Sequence, residues 1–322
     1  MYQGRALYNL LKMNLRQDSN ISAKSWQVKE YRTLSEKSLF SALKKNHIIF
    51  DKQTFLFYVE ESGSPEELTE KLFDGVDLFK KQELFLYIFE LWRRFAPDKQ
   101  TLSIFSDEMD HLIEEYEEGV MENEEKLEEY LLRLQQTLDN HVDEGGAEED
   151  AFSLISPYFC HDLEAFIYEY IAYQIDQEND LYASEMLEGL YPYIRHPMWL
   201  DFLRIRLVYS VDEIEAKKMI NRLLGSLQEQ TDLPLLFELL YFLKGVRAHE
   251  SYFSGIKIAI NQVKTYSEIK NISFLVASYF NQKKELIKER HILELINLKG
   301  DEGLSSNQLL TYLKECTTLV VH

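Results

Sequence analysis

Apolar residues at helical spacing recur with a nearly constant offset through the second half of this 322-residue chain. A set of six positions returns after 33 residues, again after 36, and in part after another 36. The four occurrences are Ile167, Tyr170, Gln174, Ala183, Leu187 and Leu190; Leu200, Leu203, Leu207, Ala216, Ile220 and Leu223; Leu236, Leu239, Leu243, Tyr252, Ile256 and Ala259; and Ile272, Leu275, Tyr279, Ile292 and Leu295. Spacings of three and four predict amphipathic helices, and a fixed period of this length predicts stacked helical hairpins. We therefore predict four hairpins between residues 163 and 298, capped by a last helix from Ser306 to Leu319.

The rest of the chain also favours an all-α fold. It has only 12 glycines and 6 prolines, whereas sheet proteins with many tight turns need more of both. In the first half, Ser64 and Pro65 form a helix start, and the segment from Lys80 to Phe95 is apolar almost all round, as in a central buried helix. We predict an N-terminal helical bundle at 1–142, an acidic glycine-containing linker at 143–150 and a helical-repeat domain at 151–322.

The period of the second half resembles that of the tetratricopeptide repeat, whose first helix carries large residues and whose second begins near a small one. Ala183 and Ala216 match the small position, and Pro197 falls near the terminal proline of the family's motif. Other small positions depart from the pattern and are occupied by Ile171, Arg204 and Tyr252. The resemblance covers residues 163–298 and implies a TPR-like α-solenoid. A non-repeating helical bundle is the alternative.

The same resemblance implies where a partner would bind. In the family, the first helix of each hairpin lines a groove. The matching positions here are Tyr168, Ala172, Asp201, Ile205, Phe237, Tyr241, Ala277 and Phe280. They are mainly aromatic and apolar, unlike the basic clamps that capture a terminal carboxylate. The expected function is a non-catalytic protein-interaction module, an adaptor, chaperone or regulator, that holds a hydrophobic segment of another protein. The alternative is that these residues are ordinary core.

Charge is concentrated in one stretch of the chain. Between Asp107 and Asp150 there are eighteen acidic residues and only two basic ones, Lys126 and Arg133. This stretch predicts two acidic amphipathic helices at 104–142. Their charge opposes nucleic-acid binding, which depends on cationic contacts with phosphates. A second functional hypothesis is therefore acidic docking or polyanion mimicry toward a basic partner, and the simplest alternative is that the acids only keep the protein soluble.

Chemistry-bearing motifs are sparse in the sequence. Glu108 and His111 form a single Glu-x-x-His motif, whereas a carboxylate-bridged di-iron bundle needs two. The apolar pattern predicts that Cys160 and His161 lie on a helix, where adjacent residues point about 100° apart and do not pair. We therefore predict no catalytic residue, no cofactor and no metal ligand. An enzyme or metal protein with a site assembled from distant residues remains a further hypothesis.

The sequence also predicts where in the cell the protein is located. The N-terminus lacks the apolar run of a signal peptide, and the apolar segment Leu233–Leu243 is interrupted by Pro234 and Glu238 and is too short to span a bilayer. Two cysteines, Cys160 and Cys316, do not suffice for a disulfide framework. We expect a cytoplasmic protein that contacts no membrane, of an oligomeric state that the sequence leaves open.

Overall fold

The computed structural model describes residues 4–297 and 302–318, and within these ranges the chain is helical, without a β-strand. The helices are α1 (Ala6–Gln17), α2 (Glu36–Lys44), α3 (Lys52–Glu60), α4 (Pro65–Leu72), α5 (Leu78–Phe95), α6 (Leu102–Glu117), α7 (Glu125–Asp143), α8 (Glu148–Ile155), α9 (Leu163–Asp176), α10 (Asp180–Leu190), α11 (Pro197–Tyr209), α12 (Glu213–Glu229), α13 (Leu233–Gly245), α14 (His249–Gln262), α15 (Tyr266–Gln282), α16 (Leu286–Ile296) and α17 (Glu302–Thr318). Two short 3₁₀ helices span Ser156–Tyr158 and Tyr191–Tyr193. The prediction of an all-α fold is confirmed.

The chain divides into two compact units. The first comprises Met1–Glu169 and Pro192–Arg195, and the second comprises Tyr170–Tyr191 and His196–His322. The segment 143–150, predicted as a linker between domains, lies within the first unit. Its glycines form a tight turn, with φ of 97° at Gly145, and α8 packs back against α7. The division falls inside α9 instead.

The core of the first unit is built around α5. Every side chain from Leu84 to Trp92 is buried, including the carboxylate of Glu90, and α2, α3 and α4 pack against this helix. The start predicted for α4 is confirmed, because the Ser64 side chain accepts the backbone N–H of Glu67 and Pro65 takes the first helical position. A helix that is apolar on all sides needs neighbours on all sides, and α5 has them.

The second unit is a stack of helical hairpins. Helix α11 packs on α12, α13 on α14, and α15 on α16, while contacts of α12 with α14 and of α13 with α15 join one hairpin to the next. This arrangement confirms the predicted solenoid-like packing of helical hairpins. Helix α17 packs on α14, α15 and α16, as expected of a capping helix, although it begins at Glu302 and the predicted last residue, Leu319, lies outside the described residues.

Three of the hairpin turns share one geometry. Glu178, Arg247 and Lys284 each follow the first helix of a hairpin with φ between 59° and 63°. At each turn the next backbone N–H reaches back five residues, from Asn179 to Gln174, from Ala248 to Leu243 and from Glu285 to Phe280, at 2.9–3.0 Å. These bonds define the Schellman motif, which satisfies carbonyls at a helix end and reverses the chain.

Within the described residues, no helix combines the length and the hydrophobicity that crossing a bilayer requires.

Candidate functional site

A groove of about 570 Å³ lies between α13 and α15 in the second unit. It is lined by Phe237, Glu238, Tyr241 and Lys244 from α13 and by Asn271, Phe274, Leu275 and Ser278 from α15. The intervals of three and four residues place each set on one face of its helix. Because both helices are first helices of consecutive hairpins, the groove follows from the stacking itself.

Aromatic rings form the rim of this groove. Tyr241 is 64% exposed and Phe274 is 48% exposed, whereas Phe237 and Leu275 are half-buried between the helices. The core does not need these rings, because on α13 it is filled by the fully buried leucines Leu235, Leu236, Leu239, Leu240 and Leu243. Helix α13 is thus apolar on a face that its own unit leaves uncovered.

The two ends of the groove differ in charge. At one end, Lys244 donates to the hydroxyl of Ser278 at 2.9 Å and its Nζ lies 4.5 Å from the Tyr241 ring centroid. One helical turn before Tyr241 lies Glu238, which is exposed and makes no ion pair with any residue that the structure describes. The groove therefore combines an apolar middle with one cationic and one anionic group.

The predicted groove residues divide into three groups. Phe237 and Tyr241 line the groove. Ile205, Ala277 and Phe280 are buried in the core, so their side chains are not available to a partner and we do not retain them. Tyr168 and Ala172 are half-buried on α9, and Asp201 accepts a hydrogen bond from the hydroxyl of Tyr191 at 2.9 Å.

Sequence reasoning missed Phe274 because a repeat of 36 residues relates Phe237 to Ser273 and Tyr241 to Ala277, both of which are buried. The structurally equivalent turn residues Arg247 and Lys284 are 37 residues apart, not 36. The same offset relates Phe237 to Phe274 and Tyr241 to Ser278. Alignment on the turns identifies the groove face of α15 correctly. An error of one residue moves the predicted face by about 100° around the helix axis.

A second, polar pocket of about 270 Å³ lies in the first unit. Its lining is unusually rich in charge, with four cationic side chains, four carboxylates, two histidines and a cysteine among fourteen residues. These residues come from α1 and Arg5 just before it, from α6, from the segment between α1 and α2, and from the segment before α9.

Buried ion pairs form one wall of this pocket. Arg32 places Nη2 2.7 Å from Oδ2 of Asp107 and Nη1 2.8 Å from Oε1 of Glu108. Burial alone would raise the pKa of Asp107, but the positive charges of Arg5 and Arg32 lower it to about 2. The first acids of the acidic stretch are therefore internal ion-pair partners. Glu108 in particular is not part of a solvated face, because Arg93 also contacts it at 3.0 Å.

Asp110, Cys160 and His161 meet at the same pocket. Oδ1 of Asp110 lies 2.8 Å from Nδ1 of His161, and Sγ of Cys160 lies 3.4 Å from the same nitrogen. The Asp110 carboxylate also accepts the backbone N–H of Cys160 at 2.9 Å and of His161 at 3.2 Å. The prediction that Cys160 and His161 do not pair was wrong, because they lie in the non-helical segment between Tyr158 and Leu163.

The electrostatics of this trio disfavour a nucleophilic thiolate. Burial, with the charge of Asp110, raises the pKa of the Cys160 thiol far above neutrality. Burial alone would lower the pKa of His161, but its hydrogen bond to Asp110 raises it. Catalytic cysteines work as thiolates in positively charged surroundings. The negative charge of Asp110 instead raises the pKa of the Cys160 thiol and so opposes formation of a thiolate.

Comparison with known proteins gives no relative. No protein-family model matches this chain, and neither a curated protein nor a solved structure is significantly similar to it. Function is therefore argued from the geometry of the groove and the pocket.

Proposed function

We propose that the second unit is a protein-interaction module whose groove between α13 and α15 holds a hydrophobic segment of a partner protein. The observation that supports this most directly is the pair of exposed rings, Tyr241 and Phe274, on facing helices of one groove. Large apolar side chains exposed together mark interaction sites, and tyrosine is enriched among the residues that dominate binding energy.

The energetic scale suits a peptide segment. Covering the exposed parts of the two rings would remove on the order of 200 Å² of apolar surface from water, which corresponds to roughly 5 kcal/mol before the cost of association. Two aromatic anchors in an open groove fit a helical or extended segment with apolar side chains one turn or two residues apart.

The polar ends of the groove set the partner's chemistry. Lys244 and Glu238 lie on the same helix, one near each end of the ring pair. A bound segment that carries a basic residue beside Glu238 and an acidic residue beside Lys244 would complement both. We therefore expect the ligand to be an amphipathic segment with an apolar centre and oppositely charged flanks.

This role is that of an adaptor, chaperone or regulator that acts without catalysis. We place it in the cytoplasm, and the two free thiols, Cys160 and Cys316, support that placement because unpaired cysteines suit a reducing compartment. The exposed carboxylates of the acidic stretch, from Glu117 to Glu129, keep the protein soluble in this scheme.

The experiment is a selection of peptides against the full-length protein, followed by affinity measurements with single variants. Peptides from a random library are selected on the wild type and their dissociation constants are measured by fluorescence anisotropy. Tyr241→Asp and Phe274→Asp should each weaken binding of the selected peptides by about tenfold or more, because each removes an aromatic anchor and places a charge in its position.

Ile214→Asp is the matched control. Ile214 is 74% exposed on α12, outside the groove, so the same change of an exposed apolar residue to aspartate should leave the affinity unchanged. Circular dichroism checks that all three variants keep their helicity. Selected peptides that bind both groove variants as tightly as the wild type, or a selection that yields no binder, would refute the proposed function.

A further inference from the structure

We propose that Asp110, Cys160 and His161 bind a single transition-metal ion of the zinc class. The three side chains belong to the first unit and are independent of the groove in the second. One ligand atom from each of them lies within 4.8 Å of the other two. Together they offer one oxygen, one sulfur and one nitrogen donor at a single point.

The distances are close to those of a bound site. In tetrahedral zinc coordination, bonds of about 2.0–2.3 Å separate the ligand atoms by roughly 3.3–3.8 Å. Here Sγ of Cys160 lies 3.4 Å from Nδ1 of His161, and Oδ1 of Asp110 lies 2.8 Å from that nitrogen. An ion between them needs Oδ1 and Nδ1 to separate by about half an ångström, which a side-chain rotation supplies.

The donor set selects the metal. Magnesium and calcium bind through oxygen, whereas thiolate and imidazole donors favour zinc and related ions. The buried thiol is no obstacle, because a coordinating metal ion deprotonates it outright. With the aspartate and the thiolate each contributing one negative charge, a divalent ion leaves the cluster neutral.

The surroundings resemble a second coordination shell. The backbone N–H groups of Cys160 and His161 hold the Asp110 carboxylate in place. Oε2 of Glu117 lies 3.9 Å from Nε2 of His161, on the side of the ring away from the trio. Carboxylates on the far nitrogen commonly orient the histidine of a metal site.

The polar pocket gives an ion access to the trio. All three residues line its wall, together with the carboxylate of Glu114. A volume of about 270 Å³ is large enough for several water molecules, at roughly 30 Å³ each. The fourth coordination position can therefore be taken by water, by Glu114 or by an exchangeable anionic ligand, as at zinc sites with three protein ligands.

The experiment is a cobalt titration of the full-length protein, purified without a histidine tag and stripped with a chelator. One equivalent of Co²⁺ should bind and give a thiolate-to-cobalt charge-transfer absorption, which Zn²⁺ then displaces. Cys160→Ser should abolish that absorption, and His161→Gln should weaken Co²⁺ binding by about 100-fold or more. Glu117→Gln should weaken it about tenfold, as expected of an outer carboxylate.

Cys316→Ser is the control, since Cys316 is the other cysteine of the chain and lies buried in α17. It should bind cobalt as the wild type does. Absence of one-equivalent binding by the wild type would overturn the metal site, as would equal binding by Cys160→Ser and His161→Gln, which would place the ion on the exposed acids. If Cys160→Ser fails to fold, the spectrum of Cys316→Ser tests the site instead. Cys160 is the one cysteine left in that variant, so a charge-transfer band as strong as that of the wild type identifies Cys160 as the ligand, and a missing band overturns the site. None of these outcomes bears on peptide binding in the groove.

Discussion

The indole nitrogen of Trp199 donates a hydrogen bond to Oδ2 of Asp232 at 2.9 Å, while Oδ1 of the same carboxylate accepts the backbone N–H of Leu235 at 3.0 Å. One aspartate thus caps the first turn of α13 and fastens it to α11, the first helix of the preceding hairpin. This double contact helps to set how two successive hairpins stack, and with them the helix that carries Phe237 and Tyr241.

Asp232→Ala should therefore destabilise the protein more than the loss of a cap alone. Asp212 provides the comparison, because it caps α12 through the N–H of Glu215 at 3.0 Å and accepts no indole N–H from the residues that the structure describes. We expect Asp212→Ala to lower the free energy of unfolding by about 1 kcal/mol and Asp232→Ala by about 2 kcal/mol. Urea denaturation followed by circular dichroism measures both, and equal losses would show that the Trp199 contact contributes nothing.

Acid should weaken the first unit through Asp107. Its pKa in the folded protein is about 2, below the ordinary value of 3.8, because Arg5 and Arg32 stabilise the carboxylate against the effect of burial. A carboxylate with a lowered folded pKa stabilises the protein fully above its unfolded pKa, and that stabilisation is lost as the pH falls toward the folded pKa. We expect a loss of about 2 kcal/mol between pH 5 and pH 2. Asp107→Asn should lack this component of the pH dependence when unfolding is measured across that range.

The same substitution tests the buried ion pairs at neutral pH. Asp107→Asn leaves Arg5 and Arg32 without a charged partner at this position, and breaking a buried pair on one side costs about 3–5 kcal/mol. Glu129→Gln is the matched control, because Glu129 is an exposed partner of Arg133 at 3.5 Å and surface pairs contribute about 0–1 kcal/mol. Similar unfolding free energies for the two variants would mean that the buried pairs do not stabilise the fold.

Two glycines within helices of the second unit should respond in opposite ways to substitution. Gly225 in α12 has open space where a Cβ would lie, so Gly225→Ala should raise the unfolding free energy by about 1 kcal/mol through helix propensity. Gly255 in α14 is buried, and a Cβ there would lie 2.8 Å from Cδ2 of Leu240. Gly255→Val should destabilise the protein by about 1–3 kcal/mol through overpacking. Thermal unfolding of the two variants measures the difference, and a stabilised Gly255→Val would contradict the close approach of α13 and α14.

Local patterns predicted most of the fold. The uniformly apolar segment of α5, the Ser64 cap and the apolar stripes of the hairpins each act within a few residues, so the sequence displays them directly. The contact between Arg5 and Glu90 spans 85 positions, and no local pattern encodes such a pair.

The sites were harder to predict because both depend on exact backbone geometry. Cys160 and His161 follow an apolar pattern that predicts a helix, but the chain leaves the helix at the 3₁₀ turn Ser156–Tyr158 before reaching them. Their partner, Asp110, lies 50 residues earlier than Cys160. In the groove, a shift of one residue in the repeat was enough to select the buried Ala277 instead of the exposed, groove-lining Ser278.

The turns at Arg247 and Lys284 share one geometry, so the chain between them forms a unit that can be duplicated. Splicing a second copy of residues 248–284 after Lys284 would join identical ends, since both junctions already have the same left-handed backbone. In stacked repeats each element contacts chiefly its neighbours, so the longer chain would gain a second peptide-sized cleft beside the native one. The number of peptide-binding sites in this protein can thus be increased without designing a new turn between hairpins.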